Sequence, residues 1–480
     1  MTATTDAGRD DETARDDIVS EDTAASNDAT AGDGSATVGI VGAGVTGLAL
    51  THYLAERGVD SVTFDASDEP GGVIQTRHVD GRVLEVGPQR MRKTPSIAAL
   101  AEAVGVADDV VEAREEELYV YANGDLGKAP LSVEAFLETD LLSWQGKARM
   151  LAEPLTRPGM PEETAAELFV RKFGREAYER FIGPLYGGIY GSDPARMPAA
   201  YALERLLERE REAGSFLAAF RQRIGTGHES PPVSFAEGNQ QLAEAVYAAH
   251  EERIELGTPV TDITRLGSRG SPAEGGSNRD SRFALETPDG SHRVDHVVVT
   301  TPASVAGELL DGLADGADAL GDLLYNPLAL VFLESDHGRT GKGYQVGYGE
   351  DLHTLGVSWN AQMFGRDGVQ TVFLGGMHEP ELAGESDDRL ARIAREEYGQ
   401  VMGVDASAID VARLDVGFPA WDQSWWNLEA LDLPPGITMA TNYTARMGIP
   451  SRVREAEETA ERLARDTAAG AGAVAAPADD

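Results

Sequence analysis

Short apolar runs alternate along the chain with longer segments whose apolar residues recur every three or four positions, so the pattern predicts strands and helices in alternation. Runs at 38–41, 59–64, 253–256, 283–286 and 296–300 are strand-like, and segments 98–104, 161–173, 201–220, 240–252 and 452–465 carry helical spacing. In the second of those helices Ala166, Phe169, Val170 and Phe173 fall on one face, a packing stripe that Gly174 can end. Two stretches break the pattern. Residues 1–36 hold almost no large apolar side chain beyond Ile18 and Val19, and 468–480 read AAGAGAVAAPADD. Neither can offset the entropy of ordering, so both are expected to be disordered tails. The Gly- and Ser-rich segment 267–281 reads as an exposed loop between two strands.

Composition narrows the chemistry. The 480 residues include no cysteine, which excludes disulfides, thiolate nucleophiles, Cys-ligated metals and a flavin tethered through sulfur. With 81 acidic against 41 basic residues the formal charge is −40, which disfavours nucleic acid and anionic lipid as partners. Only five of the basic residues are lysine, Lys93, Lys128, Lys147, Lys172 and Lys342, and this composition resembles the cytosolic proteins of salt-accumulating microbes. No secretory signal or spanning helix is visible, so the expected location is cytoplasmic, with no integral membrane span. Residues 96–185 carry many charges and no obvious apolar anchor, and a soluble protein is expected.

The strongest local signal is TVGIVGAGVTGLALTHYLAERGVDSVTFDAS, residues 37–67. A strand runs into Gly42, Gly44 and Gly47, a helix follows, and Asp65 stands at the end of a second strand. Gly42 permits the tight turn, Gly44 lets the backbone approach a pyrophosphate, and Gly47 allows helix and strand to pack closely. The backbone of Ala43, Val45 and Thr46 completes the phosphate turn, and Asp65 with Ala66 meets the ribose. This motif does not separate FAD from NAD. The next stretch, GGVIQTRHVDGRVLEVGPQRMRK, adds a second glycine pair, Gly71 and Gly72, and the turn Gly87, Pro88, Gln89 and Arg90. A cofactor with a tricyclic head needs such a second cradle.

The arrangement resembles the FAD site of the flavin amine oxidase superfamily. Within it, the run GGxIQTxxxDGxxxExGP is most similar to protoporphyrinogen and coproporphyrinogen oxidases, as are FVRKFGREAYERFIGPLYGGIYGSDP and SFAEGNQQLAEAV further on. The resemblance implies an α/β fold: a discontinuous Rossmann-type FAD domain (37–95, 232–304 and 434–467), a helical insertion (96–185) and a mixed α+β substrate domain (186–231 and 305–433). It implies noncovalent FAD, with Val260 backbone at the adenine and Met447, Gly448 and Ile449 offering amides to the flavin. The C-terminal stretch departs from the family, with Arg446 where glycine is usual and with Ser451 and Arg452 also different.

The implied reaction passes hydride from a porphyrinogen methylene bridge to the flavin, with oxygen or a diffusing acceptor completing turnover, and needs no strong acid–base pair. No catalytic side chain or metal ligand set is therefore assigned. Carboxylate anchors should be arginines. The resemblance points to Arg92, with Arg90 and Lys93 as rivals and a solvated basic patch as the alternative. Trp421, Trp425 and Trp426 could line a pocket or belong to the core. Other readings are an amine oxidase, a carotenoid desaturase, or a non-catalytic binding protein on the same fold. The sequence leaves the oligomeric state open.

Overall fold

The structure, a computed structural model, describes residues 37–474 except 115–116, 161, 225–229, 267–281, 417 and 445–446. The expected N-terminal tail, the loop 267–281 and Arg446 lie outside the described residues. A five-stranded, all-parallel sheet is built from chain segments far apart in sequence. Val38–Val41 pairs with Ser61–Phe64 on one side and His296–Val299 on the other; Ile254–Glu255 and Ile437–Met439 form the edges. Its central strands are largely apolar because both faces are covered, one by helices and the other by a three-stranded sheet of Asp262–Arg265, Phe283–Thr287 and Gly290–Val294. The first helix, Val45–Glu56, buries Thr46 through Leu54 against the sheet and against the C-terminal helix Ile449–Val474.

A second, seven-stranded mixed sheet carries the rest of the core. Its longest strands, Leu328–Glu334, Val369–Gly375 and Ser407–Leu414, are antiparallel neighbours. Two of its strands come from the segment expected to be a helical insertion. Leu118–Ala122 pairs parallel with Gly343–Val346, and Asp125–Lys128 closes the edge. Tyr119, Val120, Tyr121 and Ala122 are buried on both faces of the sheet, so this run lacks the alternation that marks a half-exposed strand.

Several helix boundaries differ from expectation for local reasons. The helix expected over 161–173 is Ala165–Phe173, because Thr164 and Glu167 form a capping box at its start; its fully buried face is Ala165, Leu168, Phe169 and Lys172. The segment 201–220 is broken, since Gly214 adopts φ +85° and closes Glu204–Ala213 before Phe216–Ile224 begins. The C-terminal helix continues to Val474, into the expected tail, because its alanine-rich end retains high helix propensity.

The segment 131–160 also reverses an expectation. Trp144, Leu151 and Leu155 are 82%, 61% and 90% exposed, whereas Lys147, Glu153 and Lys172 are buried. Lys147 Nζ donates to the Leu137 carbonyl at 2.9 Å, and Lys172 Nζ bridges Glu153, at 3.2 Å, and Glu210. Glu153 in turn accepts from the backbone of Phe216 and Leu217. Charges counted as surface in the sequence thus sit inside, and the apolar side chains they would have masked face out. No helix among the described residues is long and apolar enough to cross a membrane.

One contact between segments is pH-sensitive. His52, on the first helix, places Nδ1 3.0 Å from Nε2 of His250, at the end of Gln240–Ala249. Burial holds both imidazoles below the ordinary value of 6.5, and the neighbouring His250 depresses His52 further. The folded protein therefore binds protons there less readily than the unfolded chain. Stability from this pair is complete above about pH 6.5 and declines as the pH falls below it. Thermal unfolding at constant salt should show a Tm that drops between pH 7 and pH 5, with a shallower drop in His250→Gln. An identical slope in that variant would remove the pair as the cause.

Candidate active site

The turn after the first strand lies at the C-terminal edge of the parallel sheet, where open α/β folds bind ligands. A Cβ on Gly47 would sit 1.9 Å from the Gly42 carbonyl oxygen, so helix and turn meet with no room for a side chain. Gly44 precedes the first helix, and no side chain caps the amides there. Those N–H groups and the helix dipole are left for an anion. Asp65 accepts from Ala43 N at 2.5 Å and from Ser67 N at 2.8 Å, which fixes its carboxylate beside the turn. The Val260 loop is drawn to the same place, because Thr258 N donates to the Asp65 carbonyl at 2.7 Å and Gly257 N to that of Ser67 at 2.8 Å. Ala66 is exposed at the rim.

The second glycine pair closes on the first. Gly71 N donates to the Ala43 carbonyl at 2.9 Å, and a Cβ on Gly72 would lie 3.2 Å from the Gly44 Cα. Beyond it, a Cβ on Gly87 would fall 1.9 Å from the Val73 carbonyl oxygen. The turn Gly87–Arg90 is held from below by Glu85, whose side chain is fully buried. Its carboxylate accepts from Thr76 Oγ1 at 2.9 Å, Ser234 Oγ at 3.1 Å, Asn239 N at 3.0 Å and Arg366 Nη2 at 2.8 Å. Gln89 donates to the Glu85 and Gly87 carbonyls and accepts from Asn360, while Asn239 donates to the Pro88 carbonyl at 2.6 Å.

Met447, Gly448 and Ile449 lead into the C-terminal helix, with Ile449 buried in the same core as Ala43. The preceding segment is fixed at the sheet's C-terminal edge: Tyr443 donates to the Thr301 carbonyl at 3.0 Å, and Thr300 Oγ1 to those of Val41 and Gly42 at 3.0 Å. Arg452 is buried, donating to the Thr441 carbonyl and pairing with Glu455, so this departure from the family pattern is internal support.

A cavity of about 350 Å³ opens beside the Gly87–Arg90 turn. Its far wall is the helix Gly183–Tyr190 and the mixed sheet, contributing Gln345, Tyr348, Leu355, Ser358 and Phe373. The helix can approach because its wall is glycine: a Cβ on Gly187 would lie 2.7 Å from the Tyr348 hydroxyl, and one on Gly188 2.7 Å from Gln345 Oε1. Pro184, which lacks an N–H, follows a wide turn in which Gly183 N bonds Tyr178 O.

The glycine turns, the acid at the second strand and the second cradle fit a dinucleotide cofactor with an extended head. A family model described as flavin containing amine oxidoreductase matches residues 45–467. The chain belongs to this family. Membership makes it a flavin-dependent oxidoreductase. Protoporphyrinogen oxidase 1 of Arabidopsis thaliana is 26% identical over 473 residues, 87% of this chain and 86% of that protein. Coproporphyrinogen III oxidase of Staphylococcus aureus is 24% identical over 397 residues, 75% and 82% of the two chains. Among solved structures, one from Exiguobacterium provisionally assigned as a protoporphyrinogen oxidase has a TM-score of 0.74 at 23% identity, covering 90% of this chain and 99% of its own. Cyclohexylamine oxidase of Brevibacterium oxydans has a TM-score of 0.65 at 14% identity, covering 90% and 99%. These two likenesses show the shared fold.

The two arginines at the end of the turn are placed differently. Arg92 is exposed, donates to the Ser230 carbonyl at 2.9 Å and is not among the residues lining the cavity, because alternation along Met91–Arg92 buries Met91 and turns Arg92 out. Arg90 lines the cavity instead. Trp421 and Trp425 stack with ring centroids 4.2 Å apart in the core, and Trp426 is 48% exposed, so none lines the cavity. Gln345, Tyr348, Ser358, Phe373 and Met377 were not singled out from sequence, since they come from ordinary strand and loop positions that only sheet pairing brings to this wall.

Two substitutions test the cradle. Gly87→Ala should lower bound flavin in purified protein, since the turn must move off the Val73 carbonyl. Arg366→Met should lower unfolding stability by about 3 kcal/mol, the range for breaking one side of a buried ion pair. Adding Glu85→Gln should restore part of the loss in denaturant titrations, and strictly additive losses would remove the coupling.

Proposed function

We propose that this chain oxidises a porphyrinogen, using noncovalently held FAD. The observation that carries the reading is the cavity lining. It joins the flavin-side turn to a wall of Pro184, Ile189, Leu328, Leu355, Phe373, Met377 and Phe418, with no carboxylate, histidine or lysine among its described residues. Such a wall can hold a broad apolar ring and exclude water, and it offers no general base. A porphyrinogen needs none, because hydride leaves a methylene bridge and the accompanying proton leaves a pyrrole nitrogen. An amine would bring a cation into a cavity whose one charged residue among the described lining is Arg90, where like charges oppose binding. The named relatives support the same substrate class.

FAD, when bound, supplies the hydride acceptor. Asp65 would hold its ribose, the amides from Gly42 to Gly47 its pyrophosphate, and Gly71, Gly72, the Gly87–Arg90 turn and Met447–Ile449 the remainder, with Val260 at the adenine. The absence of cysteine supports noncovalent attachment, and the acidic, lysine-poor composition supports a cytoplasmic, salt-rich setting. Only one dinucleotide fingerprint is present in the sequence, so oxygen or a diffusing acceptor would complete turnover.

Anaerobic mixing with a panel of porphyrinogens, amines and carotenes should bleach the flavin absorbance with porphyrinogens alone. Bleaching by an amine or a carotene reassigns the substrate, and a colourless protein that gains nothing from added FAD leaves only the binding-protein reading.

A further inference from the structure

The cavity is chemically one-sided. Its polar lining groups Gln89, Gln345, Tyr348 and Ser358 are neutral, and Arg90 is the one charged residue among the described lining. Arg90 is also short of a partner. Its guanidinium meets the thioether of Met363, Nη1 to Sδ 3.8 Å, and no ion pair joins it to a described carboxylate. Arg366, the more deeply buried of the two, has Glu85 at 2.8 Å. Burial, with the charge of Arg92 behind it, pushes Arg90 down to about 10, which still leaves it charged at neutral pH. A half-buried cation that lines a cavity without a facing anion favours a ligand that supplies one. The amides at the first helix already provide for the cofactor's pyrophosphate, so the anion that suits Arg90 belongs to the substrate.

Building on the porphyrinogen reading, we propose that Arg90 grips the carboxylate edge of a ring that is otherwise apolar, so that the substrate is the two-propionate protoporphyrinogen rather than the four-propionate coproporphyrinogen. One guanidinium can take up one carboxylate bidentately, or straddle two that are neighbours on the macrocycle. The two further propionates of coproporphyrinogen would face Leu328, Leu355, Phe373, Met377 or Phe418 with no cation to meet them. The vinyl groups that replace them in protoporphyrinogen suit that wall. Arg90 thereby sets specificity, while Glu85 and Gln89 position the turn that carries it.

The test uses the FAD-loaded full chain at one fixed salt concentration. The wild type should favour protoporphyrinogen over coproporphyrinogen in kcat/KM by on the order of tenfold or more, the scale on which leaving charged groups unpaired discriminates ligands. Arg90→Gln should raise KM for protoporphyrinogen about tenfold, more than it lowers kcat, with flavin content retained, and Arg90→Lys should recover part of the loss. Equilibrium quenching with the oxidised rings gives a readout independent of turnover, with protoporphyrin binding tighter than coproporphyrin and the difference shrinking in Arg90→Gln. Preference for coproporphyrinogen, or a KM that ignores Arg90→Gln, overturns the specificity claim while leaving the porphyrinogen reading intact. An Arg90→Gln protein that folds by circular dichroism but loses its flavin assigns Arg90 to the cofactor and overturns the claim as well. If neither porphyrinogen reduces the flavin, the underlying reading is the one that fails.

Discussion

A single buried carboxylate holds the site together. Glu85 lies on the strand Arg82–Glu85, its donors Ser234 and Asn239 on a segment about 150 residues later, and Arg366 in a third region of the chain. A chain that leaves and re-enters its cofactor domain needs some contact specifying how the pieces register, and apolar packing alone tolerates sliding. Directed hydrogen bonds to an ion in a dry interior do not. The same carboxylate sits directly under the Gly87–Arg90 turn, so the register of these chain segments and the position of that turn are set by one group. The arrangement need not add net stability, since a well-packed apolar substitute can do as well; what it adds is a defined geometry.

Above that group the site is built from backbone rather than side chains. The contacts of Gly47 with Gly42 and of Gly87 with Val73 bring main-chain atoms to distances that no Cβ permits, and Gly72 meets Gly44 in a tight contact. Backbone amides at fixed positions give a cofactor uncharged, pre-oriented donors that do not titrate. The charge of −40 carried by the whole molecule makes this economical, because the anionic cofactor need not compete with surface carboxylates for cations. Arg90, the one charged residue among the described lining of the cavity, is half-buried there.

Much of this was legible in the sequence. Fixed glycine spacing, the acid at the second strand and the run around Glu85 report backbone constraints, which act over a few residues and leave a local trace. Four of the five parallel strands were equally readable as short apolar runs, whereas the edge strand Ile437–Met439 was not. What was not legible depends on pairing across long separations. The strand Leu118–Ala122 was taken into a helical region, and the cavity wall formed by Gln345, Tyr348 and Ser358 has no motif at all. The difference between Arg90 and Arg92 turns on the facing of a two-residue strand, in which Met91 takes the buried side and Arg92 the exposed one. The inward-turned Lys147, Glu153 and Lys172 show the same limit, since composition reports how many charges a segment has and not where they point.

The strand Leu118–Ala122 has a consequence for access to the cavity. The helices that follow it do not hang from a loose tether, because that strand and its hairpin partner Asp125–Lys128 are hydrogen-bonded into the mixed sheet whose Gln345 and Ser358 line the cavity. A flap moving freely of the sheet would have to unzip those strands first. Traffic through the mouth is better served by side-chain rearrangement and small bending of the rim than by a swinging door, and the size of molecule admitted is set by the weave of the sheet.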